Sequence, residues 1–194
     1  MSEFDTSWKV PKRMKLKIAV FYTPSYFAKD DRGNIAKARE ILDRHNIELS
    51  VWPDSSGSKG VRNTIPWPGP IAHTKIAYEG LRGVVTIFMM NHGGISVSSL
   101  SSFAPVVFTQ FDHPGYAIAP PWFKQGSHGC LVSPVGNADC ADLLHELGHC
   151  AMSCSNSDHE DDRSNIMNVA NGRSTLYRKQ VEKFAKAPFA VQSG

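Results

Sequence analysis

The spacing of apolar and polar positions divides the chain into elements before any motif is consulted. Residues 15–22 form a run of β-branched and aromatic side chains behind a basic flank and stop at Thr23-Pro24-Ser25, which predicts a central strand. After the polar turn Asp30-Asp31-Arg32-Gly33, Ile35, Ala38, Ile41 and Leu42 recur on one helical face, and the helix is expected to run to His45. Residues 47–52 alternate as a second strand, which the Ser- and Gly-rich stretch 53–60 breaks. Beyond it, Pro66-Trp67-Pro68-Gly69-Pro70 fixes φ and removes backbone donors, so a surface loop is expected there. Residues 83–90 are almost continuously apolar, as strands buried on both faces are.

The second half reads differently. Short extended pieces at 105–109, 116–119 and 130–133, parted by Gly, Pro and Asp, predict edge or hairpin strands. Leu143, Leu144, Leu147 and Ala151 then recur at helical spacing behind an N-cap at Asn137 or Asp139. A last helix over 175–185 turns Leu176, Val181 and Phe184 inward. No internal repeat interrupts this order.

Composition narrows the class. At 194 residues, with 41% hydrophobic and 20% charged positions, the chain has the size and balance of one soluble globular domain over 1–194, with an N-terminal arm at 1–14 and a C-terminal tail at 187–194. No apolar run approaches the roughly 18 to 20 residues that span a bilayer, so no membrane partner is expected. Lys9, Lys12, Arg13, Lys15 and Lys17 interrupt Trp8, Val10 and Met14, which leaves no apolar signal region. A cytoplasmic protein, a processed fragment and a cargo of a signal-independent export route all fit that start. The net charge of +3 sits mainly in this stretch rather than on a face interleaved with aromatics, which argues against nucleic acid as a partner. Cys130, Cys140, Cys150 and Cys154 all fall in the last third and fit either disulfides or buried thiols.

The chemistry concentrates on one predicted helix. His145 and His149 are separated by four positions and project about 40° apart, close enough for two imidazoles to reach one ion. Glu146 stands beside them. Two His and a third ligand leave a fourth zinc position for water, and an adjacent carboxylate can take that water's proton and return it to a leaving amine. Burying the Leu143-Leu144-Leu147-Ala151 stripe is expected to turn His145, Glu146 and His149 toward a cleft. Downstream, residues 158–168 add His159, an acidic run and Met167 within a polar turn.

His145-Glu146-Leu147-Gly148-His149, followed by His159 and then Ser164-Asn165-Ile166-Met167-Asn168, resembles the metzincin zinc metallopeptidases, whose extended motif is HExxHxxGxxH with a Met-turn beneath the metal. The resemblance implies an α+β, zincin-like fold: a twisted, mostly parallel sheet with an antiparallel edge strand, a backing helix, an active-site helix and a C-terminal helix. It implies a zinc metalloendopeptidase acting on a protein or peptide substrate, with zinc on His145, His149 and His159 and Glu146 activating the zinc-bound water. The pattern departs from the family where Met152 replaces the turn-making Gly and Ser155 the third His. An insertion that moves the turn into residues 153–157 accounts for both departures and makes His159 the third ligand, with Asp158 as the substitute.

Other readings stay open. Cys150 and Cys154 could join a structural zinc site, or Glu182 could complete a gluzincin-type set. A zincin-fold binding module or inactive relative, and a zinc hydrolase of a non-peptide amide, compete as functions. Tyr177 is read as a residue of the last helix rather than an oxyanion partner. His92 and His128 stand at strand ends, where a turn is the simpler role.

Overall fold

In a computed structural model of the chain, the described residues are 2–22, 33–52, 85–89, 97–99, 107–108, 115–118, 128–132, 138–152 and 158–193. They form an α+β structure. Strand β1 (Met14–Tyr22) leads to helix α1 (Asn34–Arg44) and strands β2 (Ile47–Trp52) and β3 (Val85–Met89). Next come β4 (Val97–Ser99), β5 (Val107–Phe108), β6 (Gly115–Ile118) and β7 (His128–Val132), then α2 (Asp142–Met152), α3 (Arg178–Lys186) and β8 (Ala190–Gln192).

The main sheet runs β2-β1-β3-β7-β6. Its β1–β2, β1–β3 and β3–β7 pairs are parallel, and β6 closes the order antiparallel to β7. Strands β4 and β5 pair separately. The pleat sorts the side chains of β1: Leu16 and Ile18 are fully buried, whereas Lys17 between them is exposed. Ile47, Leu49 and Val51 repeat the pattern on β2. Each such aliphatic side chain contributes on the order of 2 kcal/mol on burial. Ala38, Ile41 and Leu42 of α1 cover β2, while α2 lies against β6, β7 and α1, so the helix carrying the His pair is fixed from several sides.

Several elements differ from the sequence reading. Strands β6 and β7, expected as edge or hairpin strands, are consecutive and pair antiparallel with β6 at the end of the order, but β7 also pairs with β3 and so lies inside the sheet. Residues 190–192, read as tail, pair antiparallel with Met14–Leu16 as β8. The last helix starts at Arg178, not Thr175, because Tyr177 is still extended, and the Tyr177 N–H donates to Gln180 Oε1 at 2.8 Å as an N-cap box would. Two further N–H groups of that first turn, on Arg178 and Lys179, donate to the carbonyls of Asp5 and Glu3 at 2.9 and 3.1 Å. The N-terminal arm therefore satisfies donors that a helix start leaves open. Asn137 lies outside the described residues, and Asp139 is only part of the α2 cap: its Oδ1 accepts the Ala141 N–H, but the Leu143 N–H goes to Asn34 Oδ1 at the start of α1. Among the described residues, no helix is long and apolar enough to cross a membrane.

Candidate metal centre

Helix α2 is buried on every side from Asp142 to Ala151. His145, Glu146 and His149 occupy one arc of about 100° on it, and Leu143, Leu147 and Ala151 occupy the far side. The expected turn toward a cleft is thus only partly seen, because Glu146 and His149 are themselves 4% and 1% exposed. Solvent meets the group at His159, which is exposed, and a cavity of about 260 Å³ opens there above the side chains of Met152 and Met167, with Lys179 and Lys183 on its rim.

The ring nitrogens of His145, His149 and His159 lie within 4.8 Å of one another, a group that could hold a metal ion. The His145 Nδ1–H donates to the Ile166 carbonyl at 2.8 Å, because a carbonyl can only accept. That fixes the tautomer and aims the Nε2 lone pair at the centre of the group. The Nε2 of His149 is 3.1 Å from it. Two nitrogens bound to one tetrahedral ion at about 2.0–2.1 Å would be about 3.3 Å apart, so the His145–His149 spacing is that of two ligands of a shared metal. Ring centroids of His159 stand 5.2 and 5.3 Å from those of His145 and His149.

Electrostatics favour the neutral forms of His145 and His159. Burial carries His145 down to about 3, against the Ile166 carbonyl that favours its charged form, and repulsion of a His145 cation by His149, Arg173 and His159 adds to the fall. Burial also lowers His159, with Asp158 opposing and Arg173 assisting. Neutral imidazoles are what a metal requires of its ligands.

The third histidine is held by a turn rather than by a helix. Asn165 Oδ1 accepts the Met167 N–H at 2.8 Å, and its carbonyl accepts the Asn168 N–H at 3.0 Å, closing a turn over Ile166 and Met167. Next to His159, the Glu160 N–H donates to the Met167 carbonyl, and Asn168 Nδ2–H donates to the Glu160 carbonyl at 2.7 Å. The segment bearing His159 is thereby laced to the turn that carries Met167. Buried Asn165 and Gln180 exchange two side-chain amide bonds of 3.0 Å, which ties the same turn to α3. Met167 in turn packs against α2 at Gly148, where an added Cβ would come 2.3 Å from its sulfur. Glycine at that position lets the turn approach the helix between the two His-bearing turns.

Helix α2 continues through Met152, with no turn at the position where the resembling family has its Gly. Residues 153–157, into which the turn was placed, lie outside the described residues, as do Cys154 and His92. Cys150 is fully buried on α2. Glu182 is engaged by Arg178 at 2.7 Å on α3, which takes it away from the gluzincin role. Tyr177 is a helix cap rather than a helix residue, and its hydroxyl donates to Asp162 Oδ2 at 2.9 Å; burial and that carboxylate raise it to about 12. Sequence reasoning missed Asn34, Ile166 and Arg173, which hold the site together through a distant cap, a backbone carbonyl and a buried ion pair, none of which leaves a spacing signal. Compared with the patterns of known protein families and with curated protein sequences, the chain gives no match.

Proposed function

We propose that this protein is a zinc-dependent metallopeptidase of metzincin type, with His145, His149 and His159 as ligands and Glu146 as the general base. The observation that carries the reading is the convergence of three imidazoles from two separate segments, a helix and an irregular stretch bonded to the Met-containing turn, with the His145 tautomer set by the Ile166 carbonyl. The position of Met167 against Gly148 and the antiparallel strand β6 beside α2 support it. An extended peptide could add to the outer edge of β6 through backbone hydrogen bonds.

Bound zinc supplies Lewis acidity, which acidifies a water and polarises a carbonyl. Glu146 takes a proton from the water as its oxygen bonds to the peptide carbon, and returns it to the nitrogen as the C–N bond breaks. His145 keeps the tautomer and orientation that the Ile166 carbonyl gives it. The burial of Glu146 and His149 favours one second reading, hydrolysis of a small non-peptide amide that reaches the site past His159. A peptide library incubated with zinc-loaded protein separates the two: cleavage that falls by about 10²–10⁴-fold in Glu146→Ala supports the peptidase. An uncut library with a processed small amide supports the second reading.

A further inference from the structure

Arg173 is the largest fully buried side chain of the described residues, and no spacing in the sequence assigns it a role. Its guanidinium grips Asp139 through two parallel bonds, Nε to Oδ2 at 2.8 Å and Nη2 to Oδ1 at 2.9 Å, and donates to Asp142 Oδ1 at 2.6 Å. Both carboxylates belong to the start of α2. The third edge of the guanidinium faces the other half of the site, where Nη1 reaches the Asn168 carbonyl at 3.5 Å. Asp139 Oδ2 also accepts the backbone N–H groups of Gly172 and Arg173, and Asn171 Oδ1 accepts the Ala138 N–H at 3.0 Å. The chain leaving the Met-turn is thus bound along its length to the residues that begin the His-bearing helix.

We infer that Arg173 is the positioning residue of the metal centre, setting the separation between the helix that carries His145 and His149 and the turn that orients His145 and braces His159. Asp142 is one turn before His145, and Asn168 follows Ile166, the acceptor of the His145 Nδ1–H, by two residues. Moving either end of the clamp moves the donor or the acceptor of that bond. A planar fork is needed for this, because it joins two carboxylates and a carbonyl at fixed angles; a lysine would keep the charge and lose the geometry.

The inference rests on the proposed metal site for its consequence but not for its geometry, so Arg173→Lys is read twice. In competition with a chromophoric chelator, the variant is expected to bind zinc at least tenfold more weakly than wild type. In the metal-free protein, ring-nitrogen NMR of His145 is expected to change from one Nδ1–H tautomer to a mixture. Ile47→Val, a core change remote from the site, controls for stability: it should lower the melting temperature while leaving both readouts unmoved. If Arg173→Lys does not fold, Asp142→Asn keeps the Asp139 fork and should give the same two shifts at smaller size. Unchanged zinc affinity and a single His145 tautomer in the folded variant would overturn the inference. If wild type itself binds no zinc, the metallopeptidase reading falls, and the tautomer readout alone decides the role of Arg173.

Discussion

The two halves of the candidate metal centre are built on different physics. His145 and His149 ride on a helix whose place is set by apolar packing of Leu143, Leu144 and Leu147, all fully buried. His159 and Met167 stand on irregular chain held by side-chain and backbone hydrogen bonds around Asn165, Asn168 and Gln180. Packing is tolerant of local change and costly to remove; a hydrogen-bonded turn depends on a few polar atoms, each of which is expensive to orphan. The pair on α2 is therefore expected to survive changes that would displace the third histidine.

Acid should break both halves together and by the most. His145 has a folded pKa of about 3 against an ordinary 6.5, and His45 and His159 are lowered in the same direction. The unfolded chain then binds more protons between those limits, so stability is fully present above pH 6.5 and falls as pH drops toward 3. Urea titrations of the metal-free protein should show a loss of several kcal/mol across that window, on the order of one per unit of pKa displacement. A flat profile would contradict the neutral, buried His145.

Leu147→Ala attacks the helix half alone and should cost about 2–5 kcal/mol of global stability by chemical denaturation. Asn165→Ala attacks the turn half, and should cost about 1–3 kcal/mol. The discriminating readout is amide hydrogen exchange, in which Asn165→Ala speeds exchange at Met167 and Asn168 while α2 stays protected. Equal loss of protection in both would mean that the halves are a single cooperative unit. Gly148→Ala tests their contact and should show the smallest effect, because the clash with Met167, about 1–3 kcal/mol, is partly offset by a gain in helix propensity of about 1 kcal/mol. Combined with Met167→Ala it should cost less than the two separate losses added together.

The same division explains what was legible in the sequence. Periodicity reports which face is buried, and it located β1, α1 and β2 to within a residue or two, including Ile47–Trp52 at its observed ends, while α2 begins two to four residues later than its expected N-cap implied. It cannot report partners. The interior position of β7 and the three residues of β8 follow from pairing with distant strands, so neither could be read from its own few residues. The His145-Glu146 and His149 spacing was visible because a helix repeats. The bonds that orient His145 and hold His159 run through the Ile166 carbonyl, Asn168 and Arg173, which are unremarkable as a string of letters. Only the order His159 then Met167 hinted at that half, through resemblance rather than pattern.

Zinc content of the folded chain bears most directly on the central claim. Wild-type protein loaded with zinc and dialysed should retain about one ion per chain by elemental analysis, and His159→Ala, still folded by circular dichroism, should lose it. A stable wild type that emerges zinc-free, or a His159→Ala variant that keeps its zinc with undiminished affinity, would contradict the account.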